Sequence, residues 1–357
     1  LKVIDFKPQI INSNDWQCAL IPVYYSIFYR NDEKLWGIKN VFTIHNIQYQ
    51  GRYGMEILED VLGIPKHFAS LMEYDRDINL MKAAIEVADK VTTVSPTYSK
   101  EILDPWFSHG LDRALSDKQY KTCGFLNGID TDMYNPATDP SIPANFTVSK
   151  KAGKKICTQK LLEEVGLPQG DEPVLGMVSR LVEHKGFDLV KCVFDDIINL
   201  GYKVVILGSG EAQYEQFFHE MRWKYPDRVA FTCGYIPDLA KKIYAGANMF
   251  LMPSKSEPCG LSQMIALRYG SVPIVRETGG LRDTVLSYNE YTGDGNGFTF
   301  FNYNANDMLN VINRAIDYYE NHKDVWHTLQ QRGMTGDYSW TNSSKKYMEL
   351  YEGLVSG

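Results

Sequence analysis

Segment 257–262 (EPCGLS) combines a carboxylate, turn formers and small side chains in the second half of this 357-residue chain. It follows the hydrophobic run 249–252, so it is predicted to lie at the carboxyl end of a parallel strand, where ligands bind in open α/β sheets. Backbone N–H groups at Gly260, Leu261 and Ser262 would bind an anion there. Glu257 suits a sugar hydroxyl better than a phosphate. The segment therefore predicts a site for a phosphorylated sugar, and a plain strand-to-helix connection with a solvated glutamate is the alternative.

Two cations, Arg180 and Lys185, follow another predicted strand of the same half. Because the carboxyl ends of parallel strands lie side by side in a sheet, both side chains are expected to face the loop at Glu257. Arginine offers a planar fork for two phosphate oxygens, and lysine offers a mobile point charge. Together they would stabilise a diphosphate leaving group without a metal ion. A solvated arginine and lysine at a strand end are the alternative for either residue alone.

Thr278 and Gly279 follow a further predicted strand. They offer a hydroxyl group and a backbone segment that no side chain covers. Such a turn at the start of a helix can bind a phosphate, and we expect these two residues to take part in substrate binding.

In the first half, Asp15 follows the first predicted strand and His45 ends the second. The two side chains are therefore expected at adjacent strand ends, facing a cleft from the opposite side. His45 could donate a hydrogen bond to a sugar hydroxyl, and a histidine with only structural partners is the alternative. Asn127, followed by Gly128, closes this half in a sharp turn.

Short β-branched runs alternate with longer amphipathic stretches, which predicts an α/β protein with parallel sheets. The first half offers four strand candidates and lacks the glycine-rich first turn of a doubly wound domain, so we expect that domain to be incomplete at its N-terminal side. The second half has a full set of six. The strand candidates are 9–12, 41–45, 90–94 and 123–127 in the first half, and 174–179, 203–207, 229–232, 249–252, 272–275 and 297–300 in the second.

Segment 135–143 is rich in proline and turn formers and is predicted to link two Rossmann-like domains. We place the domains at 1–140 and 141–335. Helical patterns at 306–319, 324–334 and 341–354 follow the second sheet, and the helix within 336–357 is expected to pack back on the first domain.

Composition narrows the classes of function. A formal net charge of -7 argues against binding to nucleic acid, which needs a basic face. No apolar run is long enough to span a bilayer. The six cysteines are scattered without zinc-ligand spacing, which favours reduced thiols in a cytoplasmic compartment. Asp130 and Asp132 formally offer a carboxylate pair, but we assign them to capping or solvent and predict no metal.

Seven short runs, taken in order, resemble the bacterial glycogen synthase and starch synthase family of retaining GT-B glucosyltransferases. The likeness extends from about residue 9 to the C-terminus. A related group of sugar transferases carries a second glutamate eight positions after the first, where this chain has Ile265. The matching runs are 14–16 (NDW), 43–51 (TIHNIQYQG), 91–96 (VTTVSP), 126–130 (LNGID), 178–181 (VSRL) with 185–186 (KG), 257–263 (EPCGLSQ) and 278–281 (TGGL).

The resemblance implies a GT-B fold with two doubly wound domains facing a cleft, the first on the acceptor side and the second binding the nucleotide-sugar. It implies transfer of glucose from ADP-glucose to the non-reducing end of an α-1,4-glucan with retained configuration, without a cofactor. ADP and the glucan are the implied partners. The roles carried over place Arg180 and Lys185 on the diphosphate, Glu257 with the backbone at 259–261 on the glucose, and Asp15, His45 and Asn127 on the glucose from the other domain.

Three departures from the family pattern leave alternatives open. A lysine-containing glycine-rich loop that contacts the donor is not in the sequence, Gln17 stands where many members have histidine, and segment 241–247 lacks a common histidine. An inactive fragment that binds nucleotide-sugar only is therefore one alternative, and a retaining GT-B enzyme that uses a UDP-sugar is another. A bacterial cytoplasmic source is expected, and a plastid source stays open.

Overall fold

A computed structural model of the chain describes residue 1, residues 3–4 and residues 6–356. It divides into two compact units: Leu1–Asn127 with Ser343–Gly357, and Gly128–Asn342. Within the described residues, every helix is too short or too polar to cross a lipid bilayer.

The first unit is built on a four-stranded parallel sheet with the order β1-β2-β6-β7. These strands are rich in β-branched residues, and the two central ones are buried almost throughout, as expected for a parallel sheet covered on both faces. A small antiparallel sheet, β3-β5-β4, was not predicted. The strands are β1 Ile10–Asn14, β2 Lys39–Ile44, β3 Arg52–Tyr53, β4 Glu73–Tyr74, β5 Asp77–Asn79, β6 Lys90–Thr93 and β7 Thr122–Gly124.

The six helices before residue 127 are short, from four to eight residues. Two of them begin with side-chain caps, because Asn79 accepts a hydrogen bond from the Lys82 N–H and Ser95 accepts one from the Tyr98 N–H. The helices are α1 Leu20–Tyr24, α2 Ile57–Asp60, α3 Ala69–Met72, α4 Leu80–Val87, α5 Pro96–Glu101 and α6 Asp112–Ser116.

The second unit holds the six predicted strands in one parallel sheet, which confirms the doubly wound assignment. The strand order is β10-β9-β8-β11-β12-β13. Strands β9 and β10 are added on one side of β8 and strands β11 to β13 on the other, which creates a topological switch point at the carboxyl ends of β8 and β11. The strands are β8 Val174–Val178, β9 Lys203–Gly208, β10 Val229–Cys233, β11 Met249–Met252, β12 Val272–Arg276 and β13 Phe298–Phe300.

Helices follow each of the first five strands of this sheet, and three further helices end the chain close to the predicted positions. The last of them packs on the first unit, where Tyr351 accepts a hydrogen bond from Asn12 at 2.7 Å and Tyr347 contacts Phe125. The helices are α7 Ala152–Val165, α8 Phe187–Asn199, α9 Ala212–Lys224, α10 Pro237–Gly246, α11 Ser262–Arg268, α12 Gly279–Thr284, α13 Ala305–Asn321, α14 Lys323–Thr335 and α15 Trp340–Ser356.

The proline-rich segment 135–143 lies within the second unit, because the chain passes between the units at residues 127–128 and again at 342–343 rather than at 140–141 and 335–336. Asp139 has a fully buried side chain that forms an ion pair with Lys241 and accepts a hydrogen bond from Tyr269. Turn-forming composition suggested a linker, but these contacts fix the segment to the second unit.

Candidate active site

The switch point of the second sheet gathers the residues predicted to bind phosphate and sugar. The loop after β8 carries Arg180 and Lys185, and the loop after β11 carries Glu257. Because β8 and β11 are hydrogen-bonded neighbours, the two loops leave the sheet side by side. The sequence prediction that these loops face each other is confirmed for Lys185 and Glu257.

Glu257 is buried, with 6% of its surface exposed, and its charge is compensated locally. Lys185 Nζ donates a 2.6 Å hydrogen bond to Oε2 of Glu257, and Ser254 Oγ lies 3.1 Å from the same oxygen. A buried carboxylate without such partners would carry a large desolvation cost. The pair is therefore neutral overall, and its hydrogen bond fixes the relative position of the two side chains.

The backbone turn at residues 259–262 is held by a buried side chain. Gln263 Nε2 donates to the carbonyl oxygens of Cys259 (3.1 Å) and Gly260 (2.9 Å) and to Thr284 Oγ1 (3.0 Å). Gly260 has φ of +69°, a left-handed conformation that favours glycine. Leu261 caps α11 without a side-chain hydrogen bond, and Ser262 Oγ pairs with Tyr244 at 3.0 Å.

Gly279 and Gly280 of the neighbouring loop pack closely against the backbone at residues 257–259. Thr278 is fully buried. A Cβ atom added to Gly279 would meet the Glu257 carbonyl oxygen at 2.0 Å, and one added to Gly280 would meet the Cys259 carbonyl oxygen at 2.0 Å. The lack of side chains at Gly279 and Gly280 lets two backbone segments pack closely, and the substrate contact of Thr278 and Gly279 stays a prediction.

Arg180 is exposed and lines a cavity of about 350 Å³ together with Leu261 and Ser262. The cavity continues past Ser209 after β9 to Tyr235 after β10. Sequence reasoning missed Tyr235, which is 84% exposed. Its position directly after a strand of the same sheet was a usable signal, because every strand end at that edge can contribute to one pocket.

Asp15 and His45 lie together in the first unit, as predicted. Asp15 Oδ1 accepts the His45 N–H at 2.8 Å, and His45 Nε2 lies 2.9 Å from Asn14 Oδ1. Asp15 has φ of 55° and ψ of 178°, a strained combination for a residue with a side chain, and such strain concentrates at functional sites. Asn127 is half-buried at the end of the unit, three residues after β7.

The carboxylate pair considered for a metal behaves as a turn cap in the second unit. Asp130 Oδ1 accepts the N–H groups of Asp132 (3.0 Å) and Met133 (2.9 Å). In the part of the chain that the structure describes, no group of three His, Cys, Asp or Glu side chains is arranged to hold a metal ion.

Two protein families match the sequence. The family described as starch synthase catalytic domain matches residues 1–117, and the family described as glycosyl transferases group 1 matches residues 159–327. Each matched segment therefore lies within one structural unit.

Known proteins resemble the chain over nearly its whole length. Glycogen synthase of Clostridium novyi is 48% identical over 99% of this chain and 74% of that protein. Glycogen synthase of Anoxybacillus flavithermus is also 48% identical, over 100% of this chain and 74% of that protein. The solved catalytic domain of starch synthase IV from Arabidopsis thaliana, bound to ADP and acarbose, superposes with a TM-score of 0.90 at 34% identity, over 98% of this chain and 74% of that chain. These similarities include both units.

Proposed function

This chain belongs to the glycogen synthase and starch synthase family, and from that premise we propose that it transfers glucose from ADP-glucose to the non-reducing end of an α-1,4-glucan with retention of configuration. The GT-B assignment and glucosyl transfer in glycogen or starch synthesis follow from the family. The choice of ADP-glucose, the form of the glucan and the roles of individual residues are our proposals. No cofactor is required by this assignment.

The observation that supports the proposal most strongly is that the loop after β8 places Arg180 in the cavity wall and Lys185 in a 2.6 Å hydrogen bond with Glu257 of the loop after β11. Along the sheet edge, the loop after β11 would take the glucose, the loop after β8 the diphosphate, and the ends of β9 and β10 the nucleoside. Tyr235 offers an exposed aromatic face on which a base can stack. A cavity of this size suits part of a nucleotide-sugar.

Breaking the bond between the glucose C1 atom and the diphosphate oxygen leaves positive charge on the sugar and negative charge on the phosphate. Arg180 and Lys185 stabilise the charge that develops on the departing ADP, and this stabilisation is worth most where water is excluded. Glu257 and the backbone at 259–261 hold the glucose. The acceptor hydroxyl oxygen forms the new bond to C1 on the face that the phosphate leaves, and its proton passes to the departing phosphate.

Asp15, His45 and Asn127 of the first unit are proposed to bind the glucose. The hydrogen bond from the His45 N–H to the Asp15 carboxylate fixes the relation of two of these residues. Their role rests on the family resemblance and on the strained backbone at Asp15.

The proposal is tested by incubating the chain with labelled ADP-glucose and glycogen while ADP binding is measured by calorimetry. Incorporation of glucose with retained configuration is expected. ADP binding without turnover would instead favour the alternative of a fragment that only binds the donor. A preference for UDP-glucose in competition would favour a UDP-sugar transferase.

We further propose a cytoplasmic location in a bacterium. Glycogen synthases of two bacteria are each 48% identical to this chain, and the six cysteines are all free thiols, as is usual in a reducing compartment. Fractionation of the source cells would test this, and recovery with plastids would overturn it.

A further inference from the structure

Lys241 fixes the outer wall of the cavity that Arg180 lines. This wall consists of Met133 and Tyr134, which lie on the chain segment leading away from the first unit. Lys241 Nζ donates to the Met133 carbonyl oxygen at 3.3 Å and lies 5.8 Å from the centre of the Tyr134 ring. Lys241 itself lines the same cavity. One ammonium group therefore holds two wall residues in place.

Asp139 anchors this ammonium group from the side away from the cavity. Its Oδ1 forms a 3.2 Å ion pair with Lys241 Nζ and also accepts the Ser141 N–H at 2.9 Å. Its Oδ2 accepts the hydroxyl of Tyr269, at the end of α11. The Asp139 side chain is fully buried and is not among the residues that line the cavity. Asp139 can therefore influence a ligand only indirectly, and of its side-chain partners Lys241 is the one that lines the cavity.

We propose that Lys241, held by Asp139, is a positioning residue that sets the nucleobase side of the donor cavity and so contributes to selection of the nucleotide. This inference rests on the proposed function, because it assumes a nucleotide-sugar donor. It gives a role in ligand binding to the ion pair of Asp139 and Lys241, two residues that lie 102 positions apart in the sequence.

The order of the strands places Lys241 on the base side. Lys241 belongs to α10, which follows β10, and β10 lies at the end of the sheet two strands from β8 and three from β11. The phosphate and sugar groups are proposed at the ends of β8 and β11. The part of the cavity near α10 is apolar and aromatic, and it includes Tyr235, Pro237 and Ala240. Such a surface suits a flat base better than a phosphate.

The neighbouring lysine provides a matched control. Lys242 lies on the same helix and forms its own ion pair with Glu164 at 2.8 Å, but it is not among the cavity-lining residues. Lys241→Met and Lys242→Met each remove one charge and keep most of the side-chain volume. ADP and inorganic pyrophosphate are titrated into each variant by calorimetry, and folding is checked by thermal unfolding.

Lys241→Met is expected to weaken ADP binding by about tenfold or more, while pyrophosphate binding changes by less than about twofold. Lys242→Met is expected to leave both unchanged. Lys241→Arg, which keeps the charge and the donors, is expected to recover part of the ADP affinity. Asp139→Asn, a second variant with almost unchanged volume, is expected to weaken ADP in the same selective way.

Equal effects of Lys241→Met and Lys242→Met would overturn the inference, and so would an equal loss of ADP and pyrophosphate in Lys241→Met. Either result leaves the proposed function intact, because the wild-type chain still binds ADP. Absence of ADP binding by the wild-type chain would instead contradict the proposed function itself. A general loss of stability would weaken the binding of ADP and pyrophosphate alike, whereas a positioning role predicts weaker binding of ADP alone.

Discussion

Lys185 Nζ lies 2.6 Å from Oε2 of Glu257, so the cation predicted to bind a diphosphate and the carboxylate predicted to bind a sugar are hydrogen-bonded to each other. Both side chains are largely shielded from solvent, at 16% and 8% exposure. The interaction explains how a carboxylate can lie next to an anion site. Under the proposed function, a bound diphosphate would compete with Glu257 for the ammonium group of Lys185.

Replacing Glu257 with glutamine is expected to separate binding from turnover. The change keeps the shape of the side chain but removes the charge that competes for Lys185, so ADP should bind more tightly, by up to about tenfold. Turnover should fall by about 100-fold or more, since the charged contact to the glucose is lost. Calorimetry with ADP and a glucose-incorporation assay measure the two effects.

Glu183→Gln serves as the control for that experiment, because Glu183 is 71% exposed in its pair with Lys255. It should change neither quantity. Weaker ADP binding in Glu257→Gln would contradict the proposed competition.

Arg180→Ala is expected to lower turnover by about 100-fold and to leave glycogen binding unchanged, because the lost charge acts on the departing phosphate. Arg180 is exposed, so thermal stability should stay close to that of the wild type. The comparison uses kcat with ADP-glucose and co-sedimentation with glycogen. Arg113→Ala removes another exposed arginine as control. Equal losses of turnover and glycogen binding would speak against a role on the phosphate.

Gly280→Ala tests the close packing behind the turn at 259–262. The added Cβ atom would lie 2.0 Å from the Cys259 carbonyl oxygen, so one backbone segment must move. We expect the free energy of unfolding to fall by roughly 1–3 kcal/mol and ADP binding to weaken. Chemical denaturation and calorimetry provide the two readouts. Gly353→Ala, in α15 with open space at the Cβ position, should be neutral or slightly stabilising. Normal ADP binding by Gly280→Ala would show that the turn does not depend on this contact.

A buried lysine gives the second unit a distinctive pH dependence. Lys154 Nζ donates to the carbonyl oxygens of Ala245, Ala247 and Tyr269 and to Ser271 Oγ. Burial lowers the pKa of this ammonium group from 10.5 to about 7. Above pH 7 the folded chain releases the proton, whereas the unfolded chain holds it up to its ordinary pKa, so stability rises with pH over that range. Below pH 7 both states are protonated and this contribution is constant.

The slope is expected to approach about 1.4 kcal/mol per pH unit between about pH 7 and pH 9. Urea unfolding of the wild type and of Lys154→Met at several pH values measures it. The Met variant should lack the slope, and Lys155→Met, which changes an exposed neighbour, should keep it. Parallel pH profiles for the wild type and Lys154→Met would disprove the assignment.

The parallel sheets could be predicted because buried strands such as β8 and β9 are continuous apolar runs followed by turn residues. The small sheet β3-β5-β4 escaped prediction because its strands of two or three residues carry no periodic signal. The polar contacts were the hardest to foresee. Asp139 lies in a proline-rich stretch, and only a partner 102 positions away explains why its carboxylate is buried.

Site residues were predictable to the extent that they stand at strand ends. Arg180, Lys185 and Glu257 were singled out in this way, and their roles stay predictions. The ion pair of the last two joins positions 72 apart and depends on the fold rather than on local sequence. The complete burial of Thr278 could not be predicted from its residue type either.

The strand order β10-β9-β8-β11 has an evolutionary consequence under the proposed function. Loops that follow different strands would bind the base, the phosphates and the sugar. Backbone hydrogen bonds hold those strands in register, and these bonds do not depend on the loop sequences. Substitutions after β10 could then alter the choice of nucleotide while the loop after β11 keeps its preference for the sugar. Such a sheet would allow donor specificity to evolve one chemical group at a time.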